Sequence, residues 1–321
     1  MIKIAVIGAR GYTGAELLPL LDRHPDFELI AVGSGTAEGQ PVSAHVEGLA
    51  GSGLVFSDIR PESVAGLGAD AAVLALPNGR AAPFVDALDA SAPQTVIVDL
   101  SADYRFDAAW AYGQPERCGD TVAGARRIAN PGCYATGMQL ALAPIAESLL
   151  GVPVAFGVSG YSGAGKTPSR KNDPDVLSEN LLPYTLVGHV HEREVSHQLG
   201  RDIRFLPHVA PFFRGISLTV AAELAQAQTE EELLSRYEAF YADFPLVGVQ
   251  SAIPEVKQVR GTHHVVVGGF AVNKEHPGRI SLVAVLDNLL KGAATQAVQN
   301  LNLAFGLDAM AGLDARHGRR I

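Results

Sequence analysis

The sequence is poor in cysteine, since Cys118 and Cys133 are the only two among its 321 residues. Two cysteines cannot build a disulfide framework, so the chain is predicted to reside in a reducing compartment, the cytoplasm. The sequence also lacks an apolar run of the roughly 18 residues that a transmembrane helix needs. Its first apolar stretch is broken by Gly8, too early for a signal peptide. These absences predict a protein without a membrane partner.

Positive charge is also scarce, because 25 Lys and Arg residues stand against 34 Asp and Glu residues and give a net charge of −9. This balance argues against nucleic acid as a partner, which basic surfaces attract. It does not exclude a phosphorylated metabolite, because one local Arg or Lys can bind it. Hydrophobic residues make up 47% and charged residues 18%, the composition of a globular protein long enough for two domains.

The N-terminal residues predict a strand over Lys3–Ile7, a glycine-rich turn and a helix. The turn has the spacing G-x-x-G-x-x-G. Gly8 allows a tight turn, Gly11 lets a pyrophosphate approach the backbone, and Gly14 lets helix and strand pack closely. The alternative is a strand–helix connection without a ligand. The dinucleotide-binding residues predicted from this turn are Gly8, Arg10, Gly11, Tyr12, Thr13 and Gly14.

The second strand, Phe27–Val32, is followed by Ser34 and Thr36, and no acidic residue occurs before Glu38. In NAD-preferring folds an acidic residue at this place binds the ribose 2′-hydroxyl. Here a 2′-phosphate can accept hydrogen bonds from the two hydroxyls, and Arg10 can supply a positive charge. We therefore predict NADP rather than NAD as the cofactor.

Further strands at Ala71–Leu76 and Thr95–Leu100, separated by a predicted helix, indicate an α/β domain with a doubly wound parallel sheet. Ligands bind at the carboxyl ends of such strands. Pro77 follows the first strand and is predicted to contact the cofactor. Ser101 and Arg105 follow the second and are predicted to contact the substrate, since Arg binds phosphate or carboxylate in bidentate geometry. The alternative for Arg105 is a surface salt bridge.

Cys133 follows a Pro-Gly turn and precedes an apolar run over 138–150 with helical spacing. It is therefore expected in the first turn of a helix, where unpaired N–H groups and the helix dipole favour the thiolate. A thiolate there is a candidate nucleophile. The alternative is a buried structural cysteine.

After this helix the pattern changes to that of an α+β domain. A strand over Val152–Gly157 leads into a loop of small residues from Ser159 to Lys166, whose N–H groups suit an anion. The spacing G-x-x-x-x-G-K-T also occurs between Gly160 and Thr167, but the surrounding pattern is not that of an ATPase. Strands that indicate a mixed or antiparallel sheet are predicted over 216–221, 264–272 and 279–286.

His189 and His191 stand two positions apart and share one face if the segment is extended. The pair is consistent with a catalytic base, half of a metal site or a polar surface strand. A base near neutral pH suits histidine. No third metal ligand follows with clear spacing, so no metal is predicted. His208 is expected to line the same cleft.

Several motifs resemble those of the N-acetyl-γ-glutamyl-phosphate reductases, NADPH-dependent enzymes of arginine biosynthesis. They follow the family's order over nearly the whole chain. The matching segments are 8–14, 99–105, 130–134, 159–166, 189–194, 207–208, 213–215 and 287–293.

The resemblance implies an NADP-binding domain formed by residues 1–131 and 288–321. It implies a catalytic and oligomerisation domain over residues 132–287, of the glyceraldehyde-phosphate-dehydrogenase type, in a homodimer or homotetramer. Cys133 is implied to form a thioester with the substrate and His189 to transfer the proton. The resemblance adds Ser162, Gly163 and Asn288 to the cofactor site, and Asn130, Ser159, Gly160, His191, His208 and Arg214 to the substrate site.

The chain departs from the family's pattern at several of these positions. Arg10 stands where serine is usual, and Ser34-Gly35 stands where Ser-Arg is usual, so the cation for a 2′-phosphate has moved to the glycine turn. The histidine motif, usually His-Arg-His-x-Pro-Glu, has Val190 and Arg193 at its second and fifth positions.

Other functions remain open from the sequence. One is a sister reductase that acts on aspartyl or aminoadipyl phosphate. Another is a non-catalytic NADP-sensing protein, which does not need a reactive Cys133. A third is an acyl-thioester hydrolase without a cofactor, which the glycine-rich turn disfavours.

Overall fold

The structure, a computed structural model, describes residues 1–49 and 52–313. In these residues the chain divides into two compact units. The first comprises Met1–Gly132 and the stretch from Ala293, and the second comprises Cys133–Gly292. The boundaries predicted from the sequence lie after residues 131 and 287, and the tail assigned to the first domain, 314–321, lies outside the described residues.

The first unit is built on a parallel sheet with the strand order β3-β2-β1-β4-β5-β7-β6. Its elements before the second unit are β1 (Ile2–Ile7), α1 (Tyr12–Asp22), β2 (Phe27–Gly33), β3 (Phe56–Ser57), α2 (Pro61–Val64), β4 (Ala71–Leu74), α3 (Ala82–Ser91), β5 (Val96–Asp99), β6 (Ala111–Tyr112), α4 (Pro115–Val122) and β7 (Arg127–Ala129).

The central strands of this sheet are short apolar runs that are buried on both faces. Every residue of β4 and β5 is buried, as is Ile4–Ile7 of β1. Such continuous burial is typical of parallel sheets that are covered by helices on both sides. The strand order reverses between β1 and β4, and the carboxyl ends of strands at such a point are where α/β sheets bind ligands.

The second unit is built on a mixed sheet with the order β12-β13-β14-β11-β8-β10-β9. Strand pairs β12–β13 and β8–β10 are parallel, and the others are antiparallel. Its elements are α5 (Cys133–Leu142), β8 (Leu149–Gly160), α6 (Pro174–Leu177), β9 (Leu182–Pro183), α7 (Val190–Leu199), β10 (Arg204–Ala210), β11 (Ile216–Leu224), α8 (Glu230–Phe240), β12 (Val247–Gln250), α9 (Val256–Val259), β13 (Val265–Val272) and β14 (Arg279–Leu286).

Helix α5 lies directly on one face of the mixed sheet. A Cβ at Gly137 would lie 2.5 Å from the Leu218 side chain and 2.8 Å from the Leu286 side chain, so only glycine permits this approach. Met138 and Leu142 are buried in the same core. The apolar run that predicted a helix to residue 150 is interrupted at Pro144. A 3₁₀ turn follows over 143–148, and β8 begins at Leu149.

The opposite face of the mixed sheet is only partly covered in the described chain, because α9 packs on Val266 and Val285 there and the part around β8 has no helix on it. Leu150 and Val152 of β8 are each 49% exposed, and Phe156 is 37% exposed. A cavity of about 550 Å³ opens on this face between strands β8, β11, β13 and β14. The mixed sheet therefore has one face in the core, and its other face is open around β8, where apolar side chains are exposed.

The C-terminal helix returns to the first unit as α10 (Thr295–Ala304). It follows a π-helix over Leu290–Ala294. Asn300 is fully buried, and its Nδ2 donates to the Gly113 carbonyl and to Asn130 Oδ1, both at 2.9 Å. The last helix therefore completes the first unit. None of the described helices is long and apolar enough to cross a membrane.

Candidate active site

The glycine-rich turn joins β1 to α1. Gly8 has a φ of 83°, and a Cβ there would lie 2.5 Å from the Ala75 carbonyl oxygen. A Cβ at Gly14 would collide with the Ala9 backbone. Gly11, the N-cap of α1, differs, because no described atom lies within 4 Å of its Cβ position. Internal packing thus requires Gly8 and Gly14, whereas Gly11 faces open space beside the N–H groups of the first turn, where an anion is favoured.

Arg10 projects from this turn towards the loop that follows β2. Its Nη1 donates to Thr36 Oγ1 at 2.7 Å, so the structure brings these two predicted cofactor residues together. Ser34 is buried, and its N–H donates to the Ser57 carbonyl at 2.9 Å. Tyr12 and Thr13 form the half-buried start of α1. Arg10 and Thr36 are exposed and face solvent at the end of β2.

The loops after β4 and β5 are tied together by side chains. Asn78 Oδ1, next to the exposed Pro77, accepts a hydrogen bond from the Ala102 N–H at 3.0 Å. Asp103 accepts from the N–H groups of Gly79 and Ala81 at 2.7 and 3.2 Å. These hydrogen bonds fix the backbone of both loops at the carboxyl edge of the parallel sheet.

Ser101 is held by the buried carboxyl group of Asp99. The Ser101 hydroxyl donates to Asp99 Oδ2 at 2.7 Å, and its N–H donates to Oδ1 at 3.1 Å. Burial raises the pKa of Asp99, although the hydrogen bonds from Ser101 oppose this. The hydroxyl proton of Ser101, a residue predicted to contact the substrate, is therefore used in the hydrogen bond to Asp99.

Arg105 is buried, which excludes the surface salt bridge that was the alternative for it. Its Nε donates to the Asn130 carbonyl at 2.9 Å, and its Nη2 donates to the Leu100 carbonyl at 3.0 Å. The Asn130 N–H in turn donates to the Asp99 carbonyl at 2.8 Å. Arg105 thus orders the backbone just before the Pro-Gly turn.

Cys133 is the first residue of α5 and is half-buried, as the sequence predicted for the helix start. A Cβ at Gly292 would lie 2.8 Å from Cys133 Cβ, so glycine lets the π-helix pack closely against Cys133. Burial raises the pKa of Tyr184 and Tyr134, and the neighbouring Cys133 charge raises both further. The thiol therefore lies among aromatic hydroxyl groups of the second unit.

His189 does not lie on an extended segment, so the condition under which the two histidines would share one face is not met. It is the N-cap of α7, and its Nδ1 accepts the His191 N–H at 3.1 Å. In the neutral ring the proton is therefore on Nε2. The pKa of His189 is lowered to about 4, mainly by burial and then by the Lys171 charge. At neutral pH this imidazole is uncharged and presents an Nε2–H donor.

The other two predicted histidines lie differently. The His191 ring is 4.9 Å from the His189 ring and 6.0 Å from the Tyr134 ring, in the same aromatic cluster. The His208 ring packs on Phe156 at 4.4 Å, on the open face of the mixed sheet. Only its backbone carbonyl, which accepts the Tyr134 hydroxyl at 2.7 Å, reaches that cluster. Alternation along β10 therefore directs the His208 side chain away from the expected cleft.

The loop after β8 is fixed by Asn288. Its Nδ2 donates to Ser162 Oγ at 2.9 Å, and its Oδ1 accepts the Gly215 N–H at 2.7 Å. A Cβ at Gly160 would meet the backbone of residues 213–214 at 2.6 Å, and a Cβ at Gly163 would lie 3.0 Å from Ser159 Oγ. The predicted residues of this loop therefore form one connected structure.

Arg214 is bound to the fully buried Asp287. Its Nε donates to Asp287 Oδ2 at 2.6 Å, and its Nη2 donates to Oδ1 at 3.0 Å. The same carboxylate accepts the N–H groups of Gly261, Leu289 and Leu290. The guanidinium predicted to bind substrate thus makes a bidentate pair within the protein.

Sequence reasoning missed Tyr184 and Lys171. The Tyr184 ring is 5.5 Å from the His189 ring, and Lys171 Nζ lies 4.9 Å from the Tyr184 ring centroid. Neither residue belongs to a periodic segment, and Arg170-Lys171 is indistinguishable by sequence from solvated surface charge. Among the described residues no group of three or more His, Cys, Asp or Glu side chains is placed to hold a metal ion.

Known families match both halves of the chain. Residues 3–125 match "Semialdehyde dehydrogenase, NAD binding domain", and residues 133–288 match "Semialdehyde dehydrogenase, dimerisation domain". The chain is 55% identical over 309 residues to the N-acetyl-gamma-glutamyl-phosphate reductase of Xanthomonas campestris pv. campestris (strain B100), and the match covers 96% of each chain.

Solved structures show the same fold at lower identity. Aspartate semialdehyde dehydrogenase II from Vibrio cholerae, complexed with ASA, has a TM-score of 0.77 at 19% identity, covering 95% of this chain and 98% of that one. Aspartate semialdehyde dehydrogenase with NADP from Candida albicans has a TM-score of 0.72 at 15% identity, covering 95% and 99%. These matches confirm the predicted parallel-sheet domain with a second α+β domain.

Proposed function

The chain belongs to the N-acetyl-γ-glutamyl-phosphate reductase family, and from that premise we propose the reaction and mechanism of this protein. The protein is an NADPH-dependent oxidoreductase of arginine biosynthesis. It reduces N-acetyl-γ-glutamyl phosphate to N-acetylglutamate semialdehyde and releases phosphate. The observation that carries the mechanism is a half-buried cysteine at the first position of α5, in one unit with a neutral histidine.

The first unit carries an NAD(P)-binding domain. The open space at Gly11 suits a pyrophosphate at the start of α1, and the exposed Arg10 and Thr36 suit a 2′-phosphate. We therefore propose NADP as the cofactor, with contacts from the Gly8–Gly14 turn and from Ser34. When bound, the reduced nicotinamide supplies hydride.

The first chemical step is attack by the Cys133 thiolate on the carbonyl carbon of the acyl phosphate. A C–S bond forms, the C–O bond to phosphate breaks, and phosphate leaves with the electron pair. The N-terminal position of Cys133 favours the thiolate, because the N–H groups of the first turn of α5 carry partial positive charge. The product of this step is a thioester on Cys133.

The second step is hydride addition to that thioester, which places a negative charge on the former carbonyl oxygen. His189 supports this charge by donating Nε2–H, the tautomer fixed by the bond from the His191 N–H to Nδ1. Collapse of the intermediate breaks the C–S bond, forms the aldehyde and returns the thiolate. The neutral imidazole is therefore proposed to stabilise the oxyanion by this hydrogen bond.

The mechanism is tested by running the reaction backwards with N-acetylglutamate semialdehyde, phosphate and NADP. We expect NADPH formation that requires phosphate, measured at the nicotinamide absorbance band. Cys133→Ala is expected to abolish it while NADPH binding, measured by fluorescence, persists. Cys118→Ala serves as the matched control and is expected to keep full activity, because Cys118 lies on α4 of the other unit.

Retained turnover in Cys133→Ala contradicts the covalent route. Turnover with aspartate semialdehyde but not with N-acetylglutamate semialdehyde assigns the protein to a sister reductase. Tight NADP binding without turnover of any semialdehyde favours the sensor.

A homodimer is the proposed assembly, with the cytoplasm as its location. The second unit matches a family domain described by its role in dimerisation, and it carries the open apolar sheet face around Val152 and Phe156. Large exposed apolar patches mark interaction surfaces. A second copy of this chain is proposed to cover that face.

A further inference from the structure

Lys171 is a half-buried lysine of the second unit whose charge is not matched by a carboxylate. Within the described residues it makes no hydrogen bond or ion pair, and its recorded partner is the Tyr184 ring, 4.9 Å from Nζ. A cation above an aromatic face is attracted by the ring quadrupole but keeps its hydrogen-bonding capacity. Lys171 therefore has donors that the protein itself leaves unused.

The loop that carries Lys171 is fixed by its neighbour Asn172. Asn172 Oδ1 accepts the N–H and the hydroxyl of Ser169 at 2.8 and 3.2 Å. Its Nδ2 donates to the carbonyls of Gly165 and Thr167, both at 2.8 Å. One side chain thus closes the loop on itself, and Lys171 starts from an ordered backbone.

The cation stands beside the catalytic residues. The Tyr184 ring lies close to both Lys171 Nζ and the His189 ring, and the Lys171 charge contributes to the lowered pKa of His189. Glu192, the acidic group that acts on His189 together with Lys171, is occupied by backbone donors, since its two oxygens accept the N–H groups of Gly188 and Phe205 at 3.0 and 2.8 Å. The positive charge of Lys171 is therefore available for an anion brought in by a ligand.

We propose that Lys171 is a specificity-determining residue that binds the α-carboxylate of the substrate. This inference rests on the proposed function. The phosphoryl group is attached to the carbonyl carbon and so must lie at the Cys133 thiol. The carboxylate lies at the far end of a short carbon chain. Lys171 Nζ lies 4.9 Å from the Tyr184 ring, and the Cys133 charge raises the pKa of Tyr184, so this one residue links the cation to the surroundings of the thiol. That placement suits the second anionic group of the substrate.

The reverse reaction separates the two anions, because the semialdehyde carries the carboxylate and phosphate is a second substrate. The experiment compares Lys171→Gln with Arg170→Gln, which removes the neighbouring exposed charge. The KM is measured for N-acetylglutamate semialdehyde, for phosphate, and for 4-acetamidobutanal, the analogue without the carboxylate.

Lys171→Gln is expected to raise the KM for the semialdehyde about 10- to 100-fold, the range for a lost charge-assisted hydrogen bond. The KM for phosphate and the kinetics with 4-acetamidobutanal should stay within about 2-fold, so the variant loses its preference for the carboxylated aldehyde. Lys171→Arg should restore most of that preference, and Arg170→Gln should leave it intact.

Three outcomes overturn the inference. A raised KM for phosphate alone assigns Lys171 to the phosphoryl group. If Lys171→Gln keeps the preference for the carboxylated aldehyde, Lys171 does not bind the carboxylate. If Arg170→Gln has an equal effect on this preference, Lys171 acts only as one of several positive charges near the site. The absence of phosphate-dependent turnover in the unaltered enzyme instead refutes the proposed function, and with it the inference.

Discussion

At the scale of single residues, hydrogen bonds within the protein decide which atoms of the candidate site residues remain for a ligand. The Nδ1 of His189 is used to cap α7, so its other nitrogen is a donor and not an acceptor. Arg214 was expected to meet the substrate, but it is bound in bidentate geometry to Asp287. Neither hydrogen-bonding arrangement can be predicted from the sequence, because each depends on where the bonded group lies in the fold and not on residue type.

Arg10 carries the prediction about cofactor choice. Arg10→Ser removes the cation beside Thr36, so we expect the KM for NADPH to rise about 10-fold, the usual effect of one charge-assisted bond to phosphate. The KM for NADH should remain within about 2-fold, since NADH has no 2′-phosphate. Steady-state kinetics with both cofactors measure the ratio of the KM for NADPH to the KM for NADH. A parallel rise in both constants would instead mean that Arg10 supports the fold of the turn.

At the scale of elements, apolar periodicity predicted the helices and strands that are held by buried apolar residues. It missed elements whose residues are mostly polar or that contain proline. The strand before Gly8 and the helix after Cys133 were predicted because their apolar residues form the core. Helix α7 is mostly polar, and β10 contains Pro207, so neither gives a periodic signal. The turn residues of the candidate sites were predicted from the sequence. Tyr184 and Lys171 were not, because only tertiary contacts bring them to the site.

The open face of the mixed sheet carries a prediction about assembly. Phe156→Glu places a charge on this face, and we expect the proposed homodimer to dissociate into monomers of 33.7 kDa, measured by sedimentation velocity. Phe240→Glu is the matched control, because Phe240 is similarly exposed but ends helix α8. Circular dichroism verifies that both variants fold. A dimer that survives Phe156→Glu places the interface elsewhere.

At the scale of the whole molecule, buried histidines link folding to pH. The pKa values of His24, His189 and His264 all lie below the ordinary 6.5, chiefly because burial disfavours the charged ring. The His24 ring also stacks on Phe27 at 3.8 Å, and its Nδ1 accepts the Asp26 N–H at 3.1 Å. The folded chain therefore binds these protons more weakly than the unfolded chain does.

We expect the free energy of unfolding to fall as pH decreases from about 6.5 towards the pKa of His189, about 4. About one unit above pH 6.5 and higher, the rings are neutral in both states and contribute no slope. Denaturant midpoints between pH 8 and pH 5 measure the effect. His264→Gln should reduce the slope below pH 6.5, and a slope that stays unchanged contradicts the assignment. Asp99, whose pKa is raised, opposes the trend at the acidic end.

The position of Asn300 has a consequence for synthesis on the ribosome. This side chain binds Gly113 and Asn130, but it is translated only after the whole of Cys133–Gly292. The unit that begins first is therefore finished last, and its nascent sheet waits for α10 while the second unit, already complete in sequence, is free to fold. Order of synthesis and order of completion are reversed in this chain.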